Sequence, residues 1–428
     1  MKIRKLLLFC VALGISKFAF GQINFEKHFE NKSLRIDYYM AGNANTTQVY
    51  LNSLKEEPYW GGPKKNLNDP FNYGNYKIEV FDSLSNTLLY SKGFCSLFQE
   101  WQSTAEAREI KRSYYHTSVI PYPKDAVRFE ISKRIKDGTF ENIFKLDIDP
   151  NNYFIQKESN HKAETEKLHD AGDPSQCLDI AFIAEGYTED EMEKFIEDVR
   201  RMQYYLFETV PFNNYKENIN IWAVKAISQE SGTDIPGEGI YKKTALNTSY
   251  YTFDVPRYLT TTDMKSISDY AACVPYDQVY ILINTERYGG GGIYNFYNAC
   301  TSSNSLTKEV FIHEFGHGFA GLGDEYYSSG VAYEDFYNLK IEPWEPNITT
   351  MVDFDSKWAK MVLKNTPVPT PRKRKFRKKV GAFEGGGYMS KGIYSPQMDC
   401  RMKSNEANGF CTVCQFYVEK VLIYYMDK

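Results

Sequence analysis

Residues 313–326 read HEFGHGFAGLGDEY, and the spacing of their polar side chains could hold a metal and move a proton. Positions four apart on a helix share a face, so His313 and His317 point the same way. Two imidazole nitrogens so placed suit one Zn²⁺ with bonds of about 2.0–2.1 Å. Glu314 lies one residue round the helix, where its carboxylate reaches a water on the metal without ligating the metal itself. The alternative reading is two satisfied histidines on an amphipathic helix. Only six histidines occur in the chain, which weighs against a chance HExxH. A third ligand is needed. Gly321 and Gly323 permit a reversal that brings Asp324 or Glu325 under the metal. The pattern HExxHxxGxxH would place its glycine at Ala320 and its last ligand at Gly323. Here both features fall one residue later and Asp replaces His. Asp324, the shorter side chain, is the expected ligand, and Glu325 is the alternative.

Two further segments bear on the same chemistry. Tyr288 to Tyr297 reads YGGGGIYNFY. It is expected to form a sheet edge that takes an extended peptide by main-chain hydrogen bonds, with Gly291, Gly292, Ile293 and Tyr294 as contacts. A surface loop is the other reading. Gly385 to Met402 reads GGGYMSKGIYSPQMDCRM, from which Met402 is expected to turn beneath the metal as a hydrophobic floor. Met389 and Met398 compete for that role. Tyr394 is expected to donate a hydrogen bond to a tetrahedral oxyanion, although a chain with 34 tyrosines supplies many structural ones.

The motif must be carried by a helix over Leu306–Phe319, with Ser303-Asn304-Ser305 offering N-cap side chains. Around it, Leu178–Ala184 (LDIAFIA), Ile219–Ala226 and Val279–Ile283 (VYILI) read as strands, the last central because it is wholly apolar. Thr188 and Glu191 form a capping box that opens a helix with Met192, Phe195, Ile196, Val199, Met202 and Leu206 on one face. This strand–helix alternation predicts a mixed or parallel sheet packed on helices. From residue 22 to 155 the pattern is short alternating strands such as Tyr76–Phe81, Ala126–Ile131 and Ile143–Ile148, which predicts an antiparallel β-sandwich. Residues 156–175 are polar and aperiodic and read as a linker. The expected organisation is a signal peptide over 1–21, a β-sandwich domain over 22–155, the linker, and a catalytic domain over 176–428.

The signal peptide follows from MKIRK, the apolar LLLFCVALGIS and Ala19-Phe20-Gly21 before Gln22. That apolar run is too short to span a bilayer, so an exported protein is expected, periplasmic, secreted or at the cell surface, with no integral membrane segment after cleavage. In such a compartment the seven cysteines beyond the signal are expected to serve mainly as structural disulfides. Cys411-Thr412-Val413-Cys414 also fits a redox pair or half a zinc site. The net charge of −4 gives no global field for nucleic acid. The PRKRKFRKK run over 371–379 reads as a solvated basic loop.

HEFGHGFAGLGDEY, the preceding GGGG segment, SQESGTDIPG at 228–237, FIAEGYTEDE at 182–191 and FEGGGY…GIYSPQMDCRM…FCTVC together resemble the M64 peptidase family, often named IgA peptidases. The resemblance covers residues 176–428, and the preceding β-region is similar to that family's N-terminal domain. It implies a metzincin-like, zincin-type mixed sheet bearing the HExxH helix, in an α+β/α/β chain. It also implies a zinc-dependent endopeptidase with protein or peptide substrates, His313 and His317 as ligands, Glu314 as base and Asp324 as third ligand. The expected reaction is peptide hydrolysis by a zinc-bound water. A zinc hydrolase of a non-peptide bond, or an adhesion protein with a vestigial site, are the rival readings.

Overall fold

The computed structural model describes residues 23–157, 163–327 and 337–426. The expected signal segment lies outside the described residues. In the N-terminal part, alternation along each strand sets one face inward: Tyr76, Ile78 and Val80 are buried while Lys77 and Glu79 are more exposed. The result is two antiparallel sheets. One orders Thr46–Glu57, Phe29–Asn43 and Arg112–Pro123, and the other orders Leu88–Phe94, Tyr76–Asp82, Val127–Arg134 and Phe140–Ile148.

The later sheet is mixed and has six strands, in the order Gly290–Ile293, Tyr297–Thr301, Gln278–Ile283, Leu178–Glu185, Ile219–Val224 and Thr165–His169. The inner four run parallel, and the two edge strands run antiparallel to their neighbours. Every residue of Leu178–Glu185 and Gln278–Ile283 is buried, as expected for apolar runs covered on both faces. The strand Thr165–His169 falls inside the span read as a linker. Its pairing with Ile219–Val224 gives order to a segment whose own polar sequence carries no strand signal.

Four longer helices pack on this sheet: Met192–Phe207, Met264–Ala271, Thr307–Ala320 and Thr412–Tyr425. The first follows the Thr188–Glu191 capping box. In the third, Phe311 and Phe315 pack on Tyr280, and Phe315 and Phe319 on Phe212. Of the three residues expected to offer N-cap side chains, Asn304 does so ahead of the N-cap position: its Oδ1 accepts from Leu306 N–H at 3.0 Å and its own N–H donates to Thr307 Oγ1 at 3.0 Å. Leu306 itself occupies the N-cap position without a side-chain bond.

The two halves meet through buried charge. Arg35 and Lys55 of the first sheet both reach Asp269 Oδ1, at 2.9 and 2.7 Å, from the helix Met264–Ala271. Removing one member of such a buried set strands the others without a partner.

The expected disulfides are not formed: Cys95, Cys177, Cys273, Cys300, Cys400, Cys411 and Cys414 are all free. Cys400 Sγ and Cys414 Sγ lie 3.7 Å apart, well beyond a bond of about 2.05 Å.

Candidate metal centre and cleft

The motif helix lies directly across the edge strand. A Cβ on Gly292 would stand 2.2 Å from the carbonyl oxygen of Glu314, so only glycine allows this approach. The glycines inside the motif, poor for helix propensity, serve close packing too. A Cβ on Gly316 would meet Met402 Sδ at 2.6 Å, and one on Gly318 would meet Asn298 Oδ1 at 1.9 Å.

The helix ends at Gly321, whose φ of +62° suits glycine, and Leu322 N–H donates back to Gly316 O at 3.0 Å. Asn347 then clamps the next residue on both sides. It accepts from Gly323 N–H at 2.7 Å and donates to Gly323 O at 2.8 Å. Gly323 is not in the left-handed region. It is hemmed in by Ile348 and Glu345, 3.0 and 3.3 Å from where a Cβ would lie. This path delivers Asp324 to the histidines.

Three atoms converge. His313 Nε2 and His317 Nε2 are 3.1 Å apart, and Asp324 Oδ1 is 3.2 and 3.3 Å from them. Ligands placed tetrahedrally at about 2.0 Å from one ion are about 3.3 Å apart, so the three atoms have the spacing a metal requires. Asp324 Oδ1 is buried and has no hydrogen-bond partner. The ring tautomers fit as well. His313 Nδ1 lies 3.0 Å from Arg401 O and His317 Nδ1 lies 2.6 Å from Leu322 O. A carbonyl only accepts, so each Nδ1 carries the proton and a neutral ring leaves Nε2 as a lone pair for a metal.

Residues 167–379 and 372–422 match the family described as IgA Peptidase M64, and residues 24–145 match the Peptidase M64 N-terminus. The chain belongs to the M64 peptidase family. No curated protein sequence matches it. As an M64 peptidase it acts on protein or peptide substrates. Among its described residues, no helix is long and apolar enough to cross a membrane.

The electrostatics of this M64 cleft follow from burial among opposite charges. Burial pushes the Asp324 carboxyl up, but His317 and His313 outweigh that and hold it far below the usual range. Burial pulls the His317 ring down, yet Asp324 and Glu314 hold its pKa up to about 9 in the metal-free protein. Burial pushes the Glu314 carboxyl up, and the two histidines offset this in part.

A cavity of about 420 Å³ opens beside these groups, lined among others by Glu314, Arg257, Tyr326, Tyr388 and Lys403. Gly291, Gly292, Ile293 and Tyr294 line it too. Met402 is fully buried under the helix at Gly316, whereas Met389 and Met398 are only partly buried. Tyr394 is not among the lining residues. It sits in the strand Met389–Ser395, where its backbone pairs with Thr349, and alternation turns Ile393 and Ser395 inward instead. The phenols at the site are ones the sequence did not single out. Tyr388 OH donates to Asp324 Oδ2, and the Tyr326 ring lies parallel to His313 at 6.5 Å. Tyr388 has a φ of +64°, unusual for a bulky residue. Its N–H bonds Tyr326 O at 3.0 Å, while the neighbouring Gly387 N–H bonds Asp324 O at 2.8 Å. Glu325 turns away from the histidines, with Oε1 3.1 Å from Cys414 Sγ.

Proposed function

We propose that this chain is an exported zinc-dependent endopeptidase with a metzincin-like active site. The observation that carries the reading is the set of three ligand atoms spaced 3.1–3.3 Å apart with Glu314 beside them. Two imidazoles and one carboxylate, with the cleft on the remaining side, are a donor set for catalytic zinc. His313, His317 and Asp324 hold the ion. Zinc in such a site acidifies water and polarises a carbonyl.

The chain's own groups do the rest. Glu314 takes a proton from the attacking water and passes it to the leaving amine, and the upward push on its pKa suits both roles. Arg401 O and Leu322 O fix the imidazoles, and Tyr388 fixes the carboxylate of Asp324. Met402 supplies the floor. The substrate lies extended along Gly290–Ile293 and adds to the sheet edge. Gly290 O already accepts from Leu259 N–H, and Tyr294 O from Cys95 N–H, so the stretch between those bonds is the part of the edge offered to a peptide.

Export rests on the N-terminal charge and apolar pattern of residues 1–21. In the domain organisation we favour, the two antiparallel sheets form the β-sandwich and the catalytic domain begins before Thr165. Casein or a peptide library assayed with and without chelator tests the reading. Cleavage is expected to stop on metal removal and return with zinc. Glu314→Gln is expected to keep the metal and lose roughly 10²–10⁴-fold in rate. Wild-type cleavage by that variant or by chelated enzyme would sink the mechanism.

A further inference from the structure

Behind the cleft lies a second cluster that the peptidase reaction does not use. Glu325, Cys400, Cys411 and Cys414 offer four ligand atoms within 4.8 Å of one another. All four residues are buried, with Glu325 and Cys414 at 0% exposure. Cys411 is the N-cap of the helix Thr412–Tyr425 and Cys414 lies in its first turn, Cys400 comes from the loop before it, and Glu325 from the turn after the motif helix.

A carboxylate buried among three thiols is costly unless something positive meets it. Among the described residues Glu325 makes no salt bridge, and Lys403 Nζ goes to its backbone carbonyl at 3.1 Å instead. Asn347 Nδ2 fixes Oε1 at 3.0 Å, while Oε2 is buried without a hydrogen-bond partner. One sulfur is held by the backbone as well: Cys411 N–H donates to Cys400 Sγ at 3.2 Å, a bond that opposes the upward push of burial on this thiol. Three sulfurs with one oxygen, closed on every side, are soft donors in the number that a structural metal takes.

We propose that Glu325, Cys400, Cys411 and Cys414 form a closed structural zinc site, distinct from the histidine cluster. The thiols release their protons to solvent as the metal binds. The site ties together the backbone that aims the catalytic groups. Glu325 follows Asp324 directly, Glu325 N–H donates to Met402 O at 2.8 Å, and Arg401 between Cys400 and Met402 supplies the carbonyl for His313. The inference does not rest on the reading of the cleft.

The test uses the full mature chain, purified with reductant and loaded with zinc or cobalt. The variant His313→Ala/His317→Ala is expected to keep about one equivalent of metal where the wild type holds about two. Its cobalt form is expected to show sulfur-to-metal charge-transfer absorption, which the two imidazoles and carboxylate of the cleft do not give. Absence of stoichiometric metal in that variant would overturn the proposal. So would non-reducing mass spectrometry of a second preparation, purified without reductant, that finds Cys400, Cys411 or Cys414 in a disulfide. If the variant does not fold, the wild-type cobalt spectrum decides, and lack of the sulfur band overturns the proposal. One equivalent in the wild type with the sulfur band would leave this site standing and defeat the cleft reading. One equivalent without that band would do the reverse.

Discussion

Asp324 and Glu325 are neighbouring carboxylic side chains, yet they belong to two different clusters. Asp324 completes a set of three candidate ligand atoms that borders the cleft, and Glu325 completes a candidate set of four that is buried. The difference lies in what covers each. The histidine cluster has the edge strand Gly290–Ile293 and a cavity of about 420 Å³ on one side, which leaves room for water and a bound chain. The cysteine cluster is enclosed by the helix Thr412–Tyr425 and the Cys400 loop, and all four of its side chains are buried. An open position makes a metal reactive, and a closed shell makes it structural.

Removing each carboxylate in turn separates the two clusters most strongly. Asp324→Ala is expected to abolish cleavage and weaken metal binding at the histidines by more than about 100-fold, beyond what loss of an outer-shell partner costs. Metal at the cysteines should persist. Glu325→Ala is expected instead to lower unfolding stability by about 4 kcal/mol or more, as loss of a structural metal does. Chelator competition and denaturant unfolding on both variants check this. A greater loss of cleft metal in Glu325→Ala would reverse the assignments.

A second, smaller effect concerns protons. In the metal-free protein His317 is held up to about 9, so it is protonated at neutral pH and a metal must displace that proton. Affinity at the histidine cluster is therefore expected to fall about tenfold per pH unit as the pH drops below 9. Competition titrations of Cys411→Ser, in which the closed site is disabled, read this slope directly. A flat profile would show that His317 is already neutral.

The smallest expected effect is that of Tyr388→Phe, which removes the hydroxyl on Asp324 Oδ2 and leaves the ring. About a tenfold loss of metal affinity is expected, at the low end for an outer-shell partner. The same substitution at Tyr394, which stands outside the cleft, is expected to leave affinity and rate unchanged.

What the sequence by itself determined is local. The four-residue spacing of His313 and His317, the glycine that stops the helix at Gly321, and the runs LDIAFIA and VYILI all act over a turn or a strand. Their consequences can be read from periodicity and backbone freedom. The carboxylate that joins the two histidines also came within reach, because Asp324 follows the turn directly. Tertiary structure decided the rest. Tyr388 reaches Asp324 only because residues 64 positions apart meet at the tip of a hairpin. Cys414 and Glu325, 89 positions apart, share a cluster of which the local pattern marks only the Cys411–Cys414 half. The polar stretch before Cys177 becomes an edge strand only because Ile219–Val224 offers it a partner. The cysteines read as disulfides because their number and the expected compartment were visible, whereas the carboxylate that gathers three of them was not. Short-range geometry is written in neighbouring residues. Which distant groups come to share a buried space depends on how the sheet and its helices close around them.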